Sequence, residues 1–366
     1  MRLRWMLVWI AFALLVSCAQ SPPLRDAAEF AKWTLQAVAG KPSLRAVSAP
    51  KPMVVWASGS GGTVLRTVDG GASWMRVPPL VAEGLDFRCI VAFDEERALL
   101  ATAGSPARVY RTTDGGTTWA VVFEDPRAAA FFDAMAFSDA SRGYLVGDPI
   151  DGLMQWFETE DGGASWRAVP PPFLPAPAPG EAMFAASCSA LLAHGDGVFL
   201  VTGGAACRFL LSSARARGFT QQSLPLLHGE PSQGAFSFAR CRDRAFVVVG
   251  GDYRAPDRCE GSACWSDDGG ETWHNSVGEP GYRSAVVAIG SDGLCVATGP
   301  GGTSLSHDFG RSWSSLSADG FHALAVCEDR LYAVGSEGRI GSTFLVGAAL
   351  HPAQQSSVQD PLPQSP

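Results

Sequence analysis

The stretch TVDGGASW (67–74) recurs along this chain of 366 residues as TTDGGTTW (112–119), TEDGGASW (159–166), SDDGGETW (266–273) and SHDFGRSW (306–313). The shared pattern is Ser/Thr-x-Asp-x-Gly-x-Ser/Thr-Trp, and it is called the box below. A sixth stretch, SSARARGF (212–219), keeps the frame but has Ala214 for the Asp and Phe219 for the Trp. A single copy is a weak signal, whereas five good copies indicate a repeat protein.

The residue types of the box point to a structural role. An Asp side chain can accept backbone N–H groups within a turn, and Gly adopts backbone angles that other residues resist. A Trp is a large apolar anchor that can pack between neighbouring units. We therefore expect each box to fasten a hairpin without doing chemistry, through the pairs Asp69 and Trp74, Asp114 and Trp119, Asp161 and Trp166, Asp268 and Trp273, and Asp308 and Trp313.

The box spacing sets the fold. Units of about 40–50 residues match four strands for each blade of a β-propeller. The first unit has strand-like segments at 43–47, 53–59, 63–67 and 74–77. Later inner strands are predicted at FRCIVAF (87–93), FFDAMAF (131–137), MFAASCSA (183–190), AFSFA (235–239), YRSAVVAI (282–289) and FHALAV (321–326).

The last unit has three strands and no box, and the missing strand is available at WTLQAV (33–38). Pairing of this segment with the last blade would close the ring and remove open sheet edges. The sequence therefore predicts an all-β fold over residues 33–346, a seven-bladed β-propeller of four-stranded antiparallel blades closed by an N-terminal strand.

The start of the chain reads as an export signal. Arg2 and Arg4 precede an apolar run over 5–16, which is shorter than the roughly 20 residues that a membrane-spanning helix needs. The run ends in LVSC (15–18), which looks like a bacterial lipobox and predicts a signal peptide over 1–18 with Cys18 as the acylated residue. Ordinary cleavage nearby is the alternative.

The leader over residues 1–18 predicts where the protein is located and where its folded part begins. Ala19, rather than Asp, follows Cys18, so we expect an outer-membrane lipoprotein on the periplasmic side, held to the membrane by its lipid anchor alone. Residues 19–32 would form a tether and 347–366 a disordered tail.

Composition limits the partners. The formal net charge is −8, which argues against nucleic acid as a ligand. Cys259 and Cys264, in CEGSAC, could close a small disulfide loop, because an exported chain can form disulfides. Cys89, Cys188, Cys295 and Cys327 lie in apolar runs and are expected to be buried thiols. No Cys or His spacing suggests a metal site, and no cofactor is expected.

The box is shared with sialidases and other propellers. The whole of residues 33–346, with the run GSGGTVLRTVDGGASW (59–74) and a last blade lacking a box, resembles bacterial relatives of the photosystem II stability and assembly factor family. The resemblance implies an Asp-box propeller that helps to assemble a membrane complex without catalysis. It specifies the fold more closely than the function.

A candidate site lies at the face opposite the boxes, where inner strands begin. Polar residues occur there directly after Leu44, Phe87, Phe132, Tyr282 and Phe321. Alternation along a strand would send the apolar residue between blades and the polar residue to the channel mouth. With residues of neighbouring turns, the predicted face comprises Arg45, Arg88, Asp133, Asp148, Asp252, Tyr253, Arg254, Arg283 and His322.

Two functions fit this face. The favoured one is a monomeric, non-enzymatic scaffold whose arginines bind an acidic or carboxylate-bearing segment of another protein, because Arg suits carboxylate recognition. The alternative is a glycan-binding propeller or a sialidase-like hydrolase with Arg45, Arg88 and Arg283 as a carboxylate-binding triad. That enzyme would use Tyr253 or Tyr282 as nucleophile and Asp133 or Asp148 as acid, but the sialidase Phe/Tyr-Arg-Ile-Pro motif is absent.

Overall fold

The computed structural model describes residues 29–30, 32–213 and 215–346. The expected leader with Cys18, residues 19–28 and 31 of the tether, Ala214 and the tail after 346 lie outside the described residues. Within the described part, regular structure is β apart from two short 3-10 segments, Pro171–Phe173 and Ser336–Gly338. No helix in this part is long and apolar enough to span a bilayer.

In the part of the chain that the structure describes, thirty-two strands, numbered in chain order, build seven blades, each with an antiparallel sheet of four main strands. The chain begins with β1 (Glu29–Phe30) and β2 (Thr34–Ala37). Blade 1 contains β3 (Leu44–Lys51), β4 (Val54–Gly59), β5 (Val64–Thr67) and β6 (Met75–Arg76). Blade 2 contains β7 (Phe87–Ala92), β8 (Ala98–Thr102), β9 (Ala107–Thr112) and β10 (Ala120–Asp125). Blade 3 contains β11 (Phe132–Phe137), β12 (Gly143–Ile150), β13 (Leu153–Thr159) and β14 (Arg167–Ala168).

Blades 4 to 6 carry additional short strands. Blade 4 contains β16 (Leu191–His194), β17 (Gly197–Val201), β19 (Arg208–Ser212) and β20 (Thr220–Ser223). Blade 5 contains β21 (Gln233–Arg242), β22 (Ala245–Asp252), β23 (Ala263–Ser266) and β24 (His274–Asn275), and its sheet is extended by β15 (Glu181–Ala182) and β18 (Gly203–Gly204). Blade 6 contains β26 (Ala285–Ile289), β27 (Leu294–Gly299), β28 (Gly302–Ser306) and β29 (Ser312–Ser317), with β25 (Val277–Gly278) parallel to β29.

Blade 7 closes the ring as the sequence predicts. It contains β30 (Ala323–Cys327), β31 (Arg330–Val334), β32 (Arg339–Val346) and, as its outer strand, β2 from the start of the chain. The inner strand β30 packs against β3 of blade 1, and Gln36 of β2 donates a hydrogen bond of 2.7 Å to the Gly71 carbonyl. The predicted seven-bladed fold with its closing strand is confirmed.

Each box forms the same hydrogen-bonded turn between the third and fourth strands of its blade. In blade 2, Asp114 accepts the backbone N–H of Thr118 at 2.9 Å, and Thr112 donates its hydroxyl to the same carboxylate at 2.8 Å. The Trp119 indole N–H reaches back to blade 1 and donates to the Val77 carbonyl at 2.8 Å. The box therefore ties its own hairpin together and also contacts the preceding blade, as its residue types indicate.

One predicted strand is wrong. The segment 183–190 is not the inner strand of blade 4, which is β16 (Leu191–His194). An apolar run indicates burial but does not by itself identify a strand. Here the run is buried among the inner strands of other blades, as described next, so it keeps its apolar character without joining a sheet.

Candidate partner-binding site at the channel mouth

Residues 183–190, called the channel segment, cross the centre of the ring. The Ser187 hydroxyl donates to the Ser284 carbonyl of blade 6 at 2.7 Å, and the Ser189 hydroxyl contacts Ser237 of β21 in blade 5 at 2.7 Å. On the opposite side of the ring, Cys188 is joined by a disulfide to Cys89 of β7 in blade 2. Because inner strands surround the propeller axis, a segment bonded to blades 2, 5 and 6 fills the channel.

The cysteine predictions need two corrections. Cys89 and Cys188 are not free thiols, since they form the disulfide that holds the channel segment. The bond expected between Cys259 and Cys264 is not formed. Cys264 lies on β23 with its side chain in the core, whereas Cys259 is exposed and its thiol contacts the Asp257 carbonyl at 3.4 Å. Short spacing in sequence did not bring these two side chains together, because Cys259 lies in the loop before β23.

Arg45 has no direct polar partner at the mouth within the described part of the chain, although the Asp86 carboxylate lies near enough to interact with its charge. Its partly buried guanidinium forms no hydrogen bond or ion pair with any residue that the structure describes. Burial, followed by the neighbouring charge of Arg88, lowers the pKa of Arg45. Arg88 is itself paired with Asp86 at 2.8 Å. An unpaired, partly desolvated guanidinium attracts a carboxylate strongly, because water screens it less.

Tyr282 and His322 lie beside these arginines. Burial, and then the charges of Arg45 and Arg88, lower the pKa of His322 to about 4, so the ring is neutral near physiological pH. Burial raises the pKa of Tyr282, and Arg45 and Arg88 are among its charged neighbours. The Tyr282 phenol therefore stays protonated and can donate a hydrogen bond.

An aromatic wall adjoins the arginines. Phe184 of the channel segment stacks on Phe236 with ring centroids 3.8 Å apart, and Phe236 meets the edge of Tyr282 at 4.9 Å. Tyr253 lies 6.4 Å from Tyr282 and is 45% exposed, with the Arg254 guanidinium 5.9 Å from its ring. Phe236 and Tyr282 are buried, so the aromatic surface that the mouth offers beside positive charge is mainly the exposed ring of Tyr253.

Arg283 does not belong to this group, contrary to the prediction. Its side chain is buried, and it donates hydrogen bonds to the Ser304 hydroxyl at 2.8 Å and to the Tyr282 carbonyl at 3.1 Å. Burial lowers the pKa of Arg283, and the charge of Glu279 opposes this effect. Residues 282 and 283 precede β26, which begins at Ala285, so strand alternation does not decide which of them faces the channel. The arginine triad of the hydrolase hypothesis is therefore not assembled.

The predicted acidic residues are also more buried than expected. Asp133 has no exposed surface, and neither carboxyl oxygen has a hydrogen-bond partner of good geometry among the described residues. Burial, and then the Asp148 carboxyl, raise the pKa of Asp133 far above its usual range. Burial also raises the pKa of Asp148, which accepts the Met183 N–H of the channel segment at 2.9 Å. Asp133 is therefore fully enclosed, whereas Asp148 is half-buried and is bonded to the channel segment.

Asp252 has a local structural role. It is buried, accepts the Gln233 amide at 3.0 Å and accepts the backbone N–H of Arg254 at 2.9 Å. These bonds hold the turn that presents Tyr253. Asp252 therefore positions a residue of the mouth.

The residues that the structure brings together at the mouth are called the mouth patch: Arg45, Arg88, Tyr253, Tyr282 and His322. The sequence identified the arginines, Tyr253 and His322, but it assigned Tyr282 to the space between blades. Phe184 and Phe236 were missed as part of the wall; Phe184 lies in the apolar run 183–190 and Phe236 in the predicted inner strand 235–239. Within the described residues, no cluster of three or more His, Cys, Asp or Glu side chains is arranged to bind a metal.

The fold and the site define a seven-bladed β-propeller with a filled channel and a cationic, aromatic mouth. Neither protein-family profiles nor curated protein sequences match the chain. Among solved structures it is similar to YCF48 bound to a D1 peptide, with 13% identity, a TM-score of 0.61 and coverage of 89% of this chain and 100% of that one. YCF48 from Cyanidioschyzon merolae gives 15% identity, a TM-score of 0.62 and coverage of 86% and 99%.

An enzyme is also among the similar structures. A GH74 xyloglucanase from Xanthomonas campestris gives 16% identity and a TM-score of 0.59, with 87% of this chain matching 55% of that chain. At such identities the likeness establishes the propeller fold alone. Function has to be argued from the site.

Proposed function

We propose that this chain is a non-enzymatic scaffold whose mouth patch binds a carboxylate-bearing segment of another protein. The observation that carries the proposal is Arg45, a partly buried guanidinium that has no hydrogen bond or ion pair within the described residues. Arg88 lies beside Arg45, although its own charge is paired with Asp86, and the neutral Tyr282 phenol offers a hydrogen-bond donor. The YCF48 structure with a bound peptide is consistent with this class of ligand for a propeller of similar fold.

The filled channel limits how a partner can bind. Because the channel segment blocks the axis, a peptide would lie across the mouth and could not thread through the ring. Its carboxylate would contact Arg45, and an adjacent apolar side chain would contact Tyr253 and the neighbouring aromatic wall. Recognition would therefore combine one charge with aromatic contact area.

A peptide array in matched carboxylate and amide forms tests this proposal, with binding measured by fluorescence anisotropy for the best acidic sequence. Arg45→Ala should weaken that binding by roughly ten-fold or more, because a hydrogen bond to a charged group contributes about 1.5–3 kcal/mol. Binding by the parent should also decrease with salt.

Arg244→Ala is the matched control, since Arg244 is an exposed arginine paired with Glu271 at the box face. That variant should bind as the parent does. Equal binding of the carboxylate and amide peptides, or unchanged affinity in Arg45→Ala, would disprove carboxylate recognition by the mouth patch.

We also propose that the protein is exported and tethered through an acylated Cys18, on the basis of the lipobox-like LVSC (15–18). Replacement of Cys18 by Ser should move the protein from the membrane fraction to the soluble fraction and abolish labelling by a fatty-acid analogue. Continued acylation of the Cys18→Ser protein would rule out this anchor.

A further inference from the structure

Two of the free thiols are in direct contact across a boundary between blades. Cys241 lies on β21, the inner strand of blade 5, and Cys295 lies on β27, the second strand of blade 6. Their sulfur atoms are 3.4 Å apart. Both side chains are buried in one apolar cluster, which also contains the box residue Trp313.

The other thiols of the described residues do not share this arrangement. Cys207, Cys259, Cys264 and Cys327 have no sulfur–sulfur hydrogen bond within the described part of the chain. Cys207 and Cys264 are a useful comparison, because both are buried in a single apolar cluster of their own. Cys207 and Cys264 interact electrostatically, but only Cys241 and Cys295, among the described free thiols, have their sulfur atoms in hydrogen-bond contact.

The chain also contains a formed disulfide, Cys89–Cys188. Stable disulfides are typical of oxidising compartments, where a second pair of adjacent thiols would also be oxidised. We propose that Cys241 and Cys295 form a second disulfide, which joins blade 5 covalently to blade 6. The two sulfur atoms would move from 3.4 Å to a bond length of about 2.05 Å.

The oxidation needs an acceptor for two electrons, and we assign that role to a disulfide-bearing oxidant. One cysteine thiolate attacks a sulfur of the oxidant and forms a mixed disulfide, releasing one thiol. The second cysteine thiolate then attacks the mixed disulfide and releases the other thiol, so that two protons and two electrons leave the pair.

The timing follows from burial. The hydrogen bond between the thiols, together with burial, raises the pKa of Cys295 in the folded protein, so little reactive thiolate is present. The bond therefore forms while blade 6 packs onto blade 5, before the cluster closes. Once formed, it restricts a loop between residues separated by 54 positions in sequence.

Refolding of the reduced full chain with glutathione and glutathione disulfide tests the proposal directly. Free thiols are then alkylated in denaturant, and the peptides are mapped by mass spectrometry without reduction. We expect a linked Cys241–Cys295 peptide beside the linked Cys89–Cys188 peptide, which serves as the internal control. Recovery of Cys241 and Cys295 as alkylated thiols from the oxidised protein overturns the proposal.

A pair of double variants measures the effect of the bond. Addition of a dithiol reductant should lower the unfolding temperature of the oxidised parent by more than that of Cys241→Ala/Cys295→Ala. The variant Cys207→Ala/Cys264→Ala removes two buried thiols of the other cluster and should respond to the reductant as the parent does. An equal response in all three proteins contradicts a bond between blades 5 and 6, and the peptide map decides the question without any variant.

Discussion

Each box carboxylate is held by hydroxyl and backbone donors from its own turn. The pKa of Asp114 is lowered to about 2. The largest cause is the hydrogen bond from the Thr118 hydroxyl, followed by the bond from the Thr118 backbone N–H. At Asp69 the Ser73 hydroxyl is the largest cause, followed by the Thr67 hydroxyl, and the pKa is again lowered to about 2. A carboxyl whose pKa falls on folding stabilises the native state above its unfolded pKa of about 3.9, and this contribution is lost as pH falls through the folded value.

This linkage predicts a pH-dependent effect of Asp114→Ala. The variant should unfold at a lower temperature than the parent near pH 7, and the difference should narrow as pH falls from about 4 to about 2. Thermal unfolding followed by circular dichroism across this range gives the comparison. Asp292→Ala is the control, because Asp292 is exposed and accepts one long hydrogen bond of 3.4 Å from Ser291. A constant difference across the range would mean that the Asp114 charge is not what stabilises the turn.

At the scale of an element, a box glycine fits its hairpin against the neighbouring blade. Gly163 has a φ of +77°, and a Cβ at this position would lie 2.2 Å from Cδ2 of Leu99 on β8 of blade 2. Gly152 has a similar φ of +73°, but a Cβ there would meet nothing within 4 Å. The two positions separate the cost of backbone conformation from the cost of close packing.

Gly163→Ala should therefore destabilise the protein more than Gly152→Ala. The left-handed backbone costs about 1–2 kcal/mol for an L-residue at either position. Overpacking against Leu99 should add about 1–3 kcal/mol at Gly163. Urea unfolding of both variants measures the difference in free energy, and equal values would show that Leu99 moves aside freely.

The elements that the sequence predicted well are those with local signals. The turns of the boxes depend on bonds between residues at most four positions apart, so they can be predicted from the motif itself. The mouth patch depends on contacts between blades and on where strands begin. Tyr282 and Arg283 do not have the directions expected of them, because β26 starts three residues later than the predicted strand. No local sequence pattern indicates that β26 begins at Ala285.

At the scale of the whole molecule, long-range contacts were the hardest to predict. The closing strand could be inferred because the last unit lacked a fourth strand. The channel segment could not, since its partners Cys89, Ser237 and Ser284 lie in blades far apart in sequence. Apolar character indicated that residues 183–190 are buried, but only the three-dimensional arrangement shows that they are buried on the propeller axis.

Ring closure has a mechanical consequence. Both β1 and β2 pair antiparallel with β32, so the start of the described chain is held by hydrogen bonds to its final strand. A load applied at residue 29 would act first on the short β1–β32 ladder and then on β2. The hydrogen bonds of β1 and then of β2 to β32 would break one after another, before the other six blades carried the load. The ring is therefore closed at blade 7, and tension at the N-terminal end would open it at that blade.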